Sequence, residues 1–210
     1  MKIYHGSKNK INKPIVGGSN PANDYGPAFY MSLDYDSAAM WACKMDSVGV
    51  VNEYDLDLSN LKVLDLTDRN KYSVLNWVAI LLHFRELDQS LKNAFPSRLK
   101  ILEDKYYIDV TKYDLVIGYR ADDAYFRFPV QFLIGNITLE QLEEAFMLGE
   151  LGIQHVIMSQ KGLDNLKYVK STTADKKYLN QYYQRVIEAT QRFDRLNKEA
   201  KGTRIFDILK

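Results

Sequence analysis

The chain has 210 residues, 46% hydrophobic and 26% charged, and its 28 Lys and Arg against 27 Asp and Glu leave a net charge of +1. That length suits one domain, or one with an appended segment, and is enough to bury a core. The charge balance removes any global electrostatic reason for tight binding to nucleic acid or membrane.

A single cysteine, Cys43, excludes an intramolecular disulfide and a thiolate-rich metal site. No run approaches the roughly 18 apolar residues of a membrane span. The opening Met1-Lys2-Ile3-Tyr4-His5 lacks the apolar stretch of a signal peptide, so the expected compartment is the reducing cytoplasm.

Residues 3–5 run into a Gly-Ser turn and are expected to form a first strand. Residues 8–27 are punctuated by Asn, Gly and Pro, which predicts a long lid or binding loop. Residues 28–31 suit a short buried strand, after which Asp34 or Asp36 can cap a helix through Ala38, Ala39, Trp41 and Ala42. Residues 48–58 alternate as a strand does, and 63–66 suggest another.

From Tyr72 to Leu91 the pattern is apolar nearly all round and predicts one buried helix. A shorter helix is expected over 97–105, and 115–119 form an apolar run of strand length. Thr138-Leu139-Glu140-Gln141 is a capping box, opening a helix that buries Leu139, Leu142, Ala145 and Phe146 and stops near Gly149. Residues 153–158 follow as a strand. Strands at both ends with helices between them predict an α+β domain over 1–170.

Residues 171–210 form an appended segment. From Ala174 it becomes a lysine-rich amphipathic helix whose seam is Leu179, Tyr182, Val186, Ala189, Phe193 and Leu196. Such a helix either lies across its own domain or meets a partner.

Several familiar sites are missing. Gly17 and Gly18 are not followed by the Lys-Ser or Lys-Thr of a phosphate loop, and no Gly-x-Ser-x-Gly elbow occurs. His5, His83 and His155 lie too far apart in sequence to indicate a metal site. What remains is an ordered set: His5-Gly6-Ser7 after the first strand, Gly26-Pro27-Ala28-Phe29-Tyr30 before the alanine-rich helix carrying Trp41, and Gln154-His155-Val156 on a late strand.

Together these pieces resemble the His-Tyr-Glu branch of the ADP-ribosyltransferase superfamily, which includes diphtheria toxin and the poly(ADP-ribose) polymerases. Through residue 170 the chain looks like a bacterial family of that branch. Val51-Asn52-Glu53-Tyr54, Tyr113-Asp114-Leu115-Val116-Ile117-Gly118 and Ala121-Asp122-Asp123 extend the match.

The resemblance implies split mixed and antiparallel sheets with surrounding helices, and NAD⁺ as co-substrate without a metal. It implies that His5 binds ribose hydroxyls and that the backbone of Gly6, in the His5-Gly6-Ser7 turn, pairs with the nicotinamide carboxamide. Glycine there would let a ligand approach the backbone. Tyr30 and Trp41 become aromatic walls, adding a cation–π attraction of roughly 0.5–2 kcal/mol to the pyridinium ring. Ser37 is a candidate donor to the carboxamide, although the register aligns Ala38 with the family's serine.

Cleavage passes through an oxocarbenium-like transition state. The family's glutamate at the late strand, which stabilises that charge, is here Gln154. The departure favours mono-ADP-ribosyl transfer, or help from another carboxylate. Asp122 and Asp123 are the substitutes, with a solvated turn as the alternative. Glu53 comes too soon after Tyr30, and Glu150 falls at a helix end. Arg120 and Arg127 suit either the pyrophosphate or a surface ion pair.

The implied activity is transfer of ADP-ribose to a macromolecular acceptor, protein or nucleic acid, by a toxin of a toxin–antitoxin or phage-defence system. The C-terminal helix would then offer an antitoxin surface. The alternatives are a non-catalytic NAD⁺ or ADP-ribose binding module, and a partner-binding protein without a nucleotide site.

Overall fold

The structure, a computed structural model, describes residues 1–44, 47–121, 125–147, 152–181, 183, 184, 187, 188, 191, 195 and 201–208. The strands are β1 (Lys2–Ser7), β2 (Phe29–Ser32), β3 (Val50–Leu56), β4 (Val63–Asp65), β5 (Leu115–Tyr119), β6 (Ile153–Ile157) and β7 (Leu166–Thr173). They form one mixed sheet in the order β4-β5-β6-β2-β1-β3-β7, antiparallel at every junction but β4–β5. The α+β expectation holds, whereas the split sheets implied by the resemblance are one continuous seven-stranded sheet, because β2 pairs with both β6 and β1.

The helices with both ends among the described residues are α1 (Tyr35–Ala42), α2 (Val74–Phe84), α3 (Gln89–Ala94), α4 (Pro96–Tyr106), α5 (Arg127–Ile134), α6 (Leu139–Met147), α7 (Gln160–Asp164) and α8 (Ile205–Ile208). Leu64, Val116 and Val156 face a core filled by Trp77, Ile80, Phe128 and Phe132. Ile3, Phe29, Tyr54, Leu115 and Ile157 pack with Leu163 of α7 in a second core. Helix α1 lies over β1 and β3, where Ala38, Ala39 and Ala42 meet Val51 and Tyr178 in a third.

Helix α2 departs from the single helix expected over 72–91. It ends at Phe84, and Arg85 takes an extended conformation with φ −71° and ψ 141°. The reason is tertiary, because the Arg85 side chain is drawn to Asp24 by a 2.8 Å ion pair. Asp88 then caps α3. Helices α5 and α7 and the strand β7 appear in no sequence expectation.

The capping box is formed as expected, with the Gln141 N–H donating to Thr138 Oγ1 at 3.2 Å and the Thr138 N–H to Gln141 Oε1 at 2.9 Å. Thr138→Ala is expected to cost about 1 kcal/mol. Thermal denaturation would show this as a fall of roughly 2–4 °C in Tm.

Strand β7 continues the sheet past residue 170, where the sequence suggests a division. The described residues 181, 183, 184, 187, 188, 191 and 195 are helical, as expected, and exposed. The seam residues Tyr182, Val186, Ala189, Phe193 and Leu196 lie outside the described residues. Beyond them the chain returns to the domain: Leu139 N–H donates to Thr203 O at 2.8 Å, and Ile205 is fully buried in the main core. No described helix is long and apolar enough to cross a membrane.

Candidate functional site

The β1–β3 ladder runs from Lys2↔Asp55 to Ser7↔Val50, whereas β1 and β2 are joined at Tyr4↔Ser32 alone among the described residues. Beyond that pair the two halves of the sheet part. Met1 and Leu56 exchange both backbone bonds, at 2.6 and 2.8 Å, so strand alternation aims the odd-numbered backbone groups of β1 at β3. The N–H and C=O of Gly6 therefore turn toward β2, at a point where the β2 ladder has ended.

Across this gap the His5 ring stands in for a ladder bond. Its Nδ1 lies 2.6 Å from Tyr30 O. A carbonyl only accepts, so Nδ1 carries the proton and Nε2 of the neutral ring is an acceptor. Burial holds the His5 pKa below its ordinary value, partly offset by the Tyr30 carbonyl. The ring also stacks on Phe29 at 4.3 Å.

The Tyr30 hydroxyl donates to Gly26 O at 2.5 Å and accepts from Tyr25 N–H at 3.1 Å. Burial raises its pKa and keeps it protonated. Its ring is therefore fixed by its own loop.

Helix α1 forms the opposite wall. Asp34 is its cap, accepting from the N–H groups of Asp36 and Ser37. The Ser37 hydroxyl donates to Asp34 Oδ2 at 2.6 Å, so the proton expected for a carboxamide is already committed. Ser37 faces the cleft as an acceptor. Trp41 is 38% exposed, with the Arg120 guanidinium 4.7 Å and the Lys44 ammonium 4.6 Å from its ring centre.

The resulting cleft encloses about 770 Å³, part of it open to solvent, and is lined by His5, Gly6, Tyr30, Ser37, Trp41, Arg120 and Gln154. Of the expected set, Ser7 does not line it. The Ser7 hydroxyl donates to Asn9 O at 2.5 Å and accepts from Asn52 Nδ2 at 2.9 Å, which ties it to Asn52 of β3. Glu53 is likewise elsewhere, paired with Lys2 at 2.9 Å and Lys170 at 3.8 Å. Asp122, Asp123 and Glu150 lie outside the described residues. Arg127 opens α5 and does not line the cleft.

The cleft also holds a carboxylate that sequence patterns miss. Asp24, in the long loop, accepts from Arg85 Nε at 2.9 Å, Ala121 N–H at 2.9 Å and Gln154 Nε2 at 3.0 Å. Burial raises its pKa, and the Arg85 charge, with the Ala121 and Gln154 hydrogen bonds, opposes that rise. No residue near Asp24 in the sequence signals this role, because its partner Arg85 lies 61 residues further along the chain.

Gln154 Nε2 donates a second bond, to Tyr119 O at 3.1 Å. Both amide hydrogens are thus engaged, and Oε1 has no partner among the described residues. The reverse amide orientation would set Oε1 against two acceptors.

On the other side of β6, His155 is buried, its Nδ1 has no partner among the described residues, and burial lowers its pKa. With the folded pKa below the unfolded value near 6.5, His5 and His155 take up protons more readily once unfolded. Stability is therefore full above pH 6.5 and falls as pH drops from there toward the folded values. Urea denaturation between pH 7.5 and 5 should show that loss. His155→Leu should remove up to about 1.4 kcal/mol of it per pH unit. The difference between the two proteins isolates His155 from Asp24, whose raised pKa acts in the opposite sense.

No curated protein and no solved structure matches the chain. Residues 1–168, which carry every group lining the cleft, match the family described as Protein of unknown function (DUF3990). By that match over most of its length, the chain belongs to the DUF3990 family.

Proposed function

We propose that this protein binds NAD⁺ between β1 and α1, cleaves the nicotinamide–ribose bond and transfers one ADP-ribose to a macromolecular acceptor. The observation that carries the reading is convergence. His5, Gly6, Tyr30, Trp41 and Gln154, scattered over about 150 residues and nominated from sequence as one set, line one cleft.

The cleft's chemistry suits the ligand. A backbone N–H and C=O, turned together out of the ladder at Gly6, match the donor and acceptor of a carboxamide. His5 Nε2 accepts from a ribose hydroxyl. The anchored Tyr30 ring offers a flat apolar surface to the pyridinium. Arg120, over Trp41, supplies positive charge to the pyrophosphate.

Glutamine at position 154 supports transfer of single units. A role as a toxin with an antitoxin on the C-terminal helix, and a cytoplasmic location, rest on the family resemblance.

Incubation with NAD⁺ labelled on the adenylate, together with lysate, tests the activity. The expected result is labelled macromolecule and released nicotinamide in equal amounts. A folded protein that releases no nicotinamide and shows no thermal shift with NAD⁺ overturns the reading. Binding without turnover supports the module alternative, which the absence of an acid at position 154 favours. Trp41→Ala should weaken NAD⁺ binding by roughly 2- to 30-fold in calorimetry, the equivalent of one aromatic–cation contact.

A further inference from the structure

Among the described residues, the carboxylate of the cleft is not on β6 but on the loop before β2, and it touches β6 through the Gln154 amide. Asp24 Oδ2 holds Nε2 at 3.0 Å, and Tyr119 O holds the same nitrogen at 3.1 Å. That carbonyl is itself fixed, accepting from Tyr25 Oη at 3.0 Å and Trp77 Nε1 at 2.9 Å. Asp24 in turn is fixed by Arg85 and by the Ala121 N–H. The amide of Gln154 is therefore immobilised in one orientation by buried groups. The side chain presents Oε1 alone to a ligand.

We propose that Asp24 is a positioning residue: it locks and polarises the Gln154 amide, so that Oε1 takes the place of a carboxylate oxygen as acceptor for the 2′-hydroxyl of the nicotinamide ribose. This rests on the NAD⁺ reading above. A negative charge pulling on the amide N–H enriches the opposite oxygen, since hydrogen bonds in series polarise one another at low dielectric. The carbon–nitrogen bond to nicotinamide breaks with its electron pair leaving on nicotinamide. The acceptor's nucleophile then bonds to C1′ and loses its proton to solvent. Oε1 steadies the charge developing on the sugar through the 2′-hydroxyl and forms no covalent bond.

If Gln154 were a degenerate acid, Gln154→Glu would restore activity. Here it places a second carboxylate against Asp24 and Tyr119 O, and two carboxylates at that distance cannot both ionise. Gln154→Glu is thus expected to lower nicotinamide release at least about tenfold. Asp24→Asn with Gln154→Glu, which moves the charge across the pair, should recover most of that loss.

Binding supplies the second readout. Calorimetry with NAD⁺ and with an analogue lacking the 2′-hydroxyl on the nicotinamide ribose should show the wild type preferring NAD⁺ by about tenfold or more. Asp24→Asn should bring that preference to within about twofold. Gln154→Leu should do the same.

Preference retained in Asp24→Asn, or release raised by Gln154→Glu alone, overturns the role of Asp24 while leaving NAD⁺ binding intact. Absence of affinity for both nucleotides in the wild type overturns the NAD⁺ reading itself.

Discussion

Replacing Arg85 with leucine is expected to cost about 3–5 kcal/mol at pH 8, the range found when one partner of a buried ion pair is removed. The pair is enclosed: the Asp24 side chain is 7% exposed and that of Arg85 17%. Without the guanidinium, Asp24 keeps Gln154 and the Ala121 N–H but loses its counter-charge. Arg85 also donates to Ala121 O and sits 5.3 Å from the Phe126 ring centre, so the end of β5 loses support as well.

The cost should depend on pH with a definite sign. The Asp24 pKa, already raised by burial, would move further up in Arg85→Leu. A carboxyl whose folded pKa is raised destabilises as pH rises through that value and is harmless below the unfolded value near 3.9. Urea denaturation should therefore find a smaller deficit at pH 5 than at pH 8. Adding Asp24→Asn to Arg85→Leu should remove most of the difference. A deficit equal at both pH values would mean that Asp24 is not the group left unpaired.

The elements that surround this pair were legible in sequence where local pattern and tertiary demand agree. Residues 115–119 form an apolar run without alternation, and β5 is buried on both faces. Asp34 precedes an alanine-rich stretch and does cap α1. Thr138 and Gln141 stand at capping-box spacing and make both bonds.

Legibility failed where one long-range contact decides. Asp24 and Arg85 are 61 residues apart, and nothing near either marks it as half of a pair. Their attraction ends α2 at Phe84, within a run whose helical pattern continues. Strand β7 was hidden for a different reason. As an edge strand it exposes Lys167 and Lys170, and its alternation is broken by the register shift opposite Glu53 and Tyr54. The cleft residues were legible as a motif, yet their surroundings were not. Lys44, three residues beyond Trp41, is a local neighbour, whereas Arg120 reaches the same ring from the end of β5.

Gly6→Ala is the other substitution with a large expected effect, and its cause differs from the one the sequence suggests. Glycine there was expected to admit a ligand. The space beside its Cα is instead filled by helix α1: an added Cβ would stand 1.9 Å from Ala38 O and 2.8 Å from Ala42 N. Gly49, just before β3, meets the same helix, its Cβ falling 2.2 Å from Ala42 O. Helix α1 is thus seated in backbone contact with β1 and with the residue that leads into β3, which is why Ala38 and Ala42 suit its buried side. That seating sets Ser37 and Trp41 against the opening between β1 and β2.

Because the obstructing atoms are backbone, no change of rotamer relieves the clash, and the helix must lift or the strand must bend. Overpacking typically costs about 1–3 kcal/mol, and Gly6→Ala should lie at or above the top of that range. Urea denaturation without ligand measures it. Ala38→Gly should not rescue the variant, since it leaves Ala38 O where it was. NAD⁺ binding should fall with stability, because the displaced helix carries one wall of the cleft. A Gly6→Ala protein that keeps wild-type stability and loses only nucleotide binding would restore the ligand-approach explanation and remove the packing one.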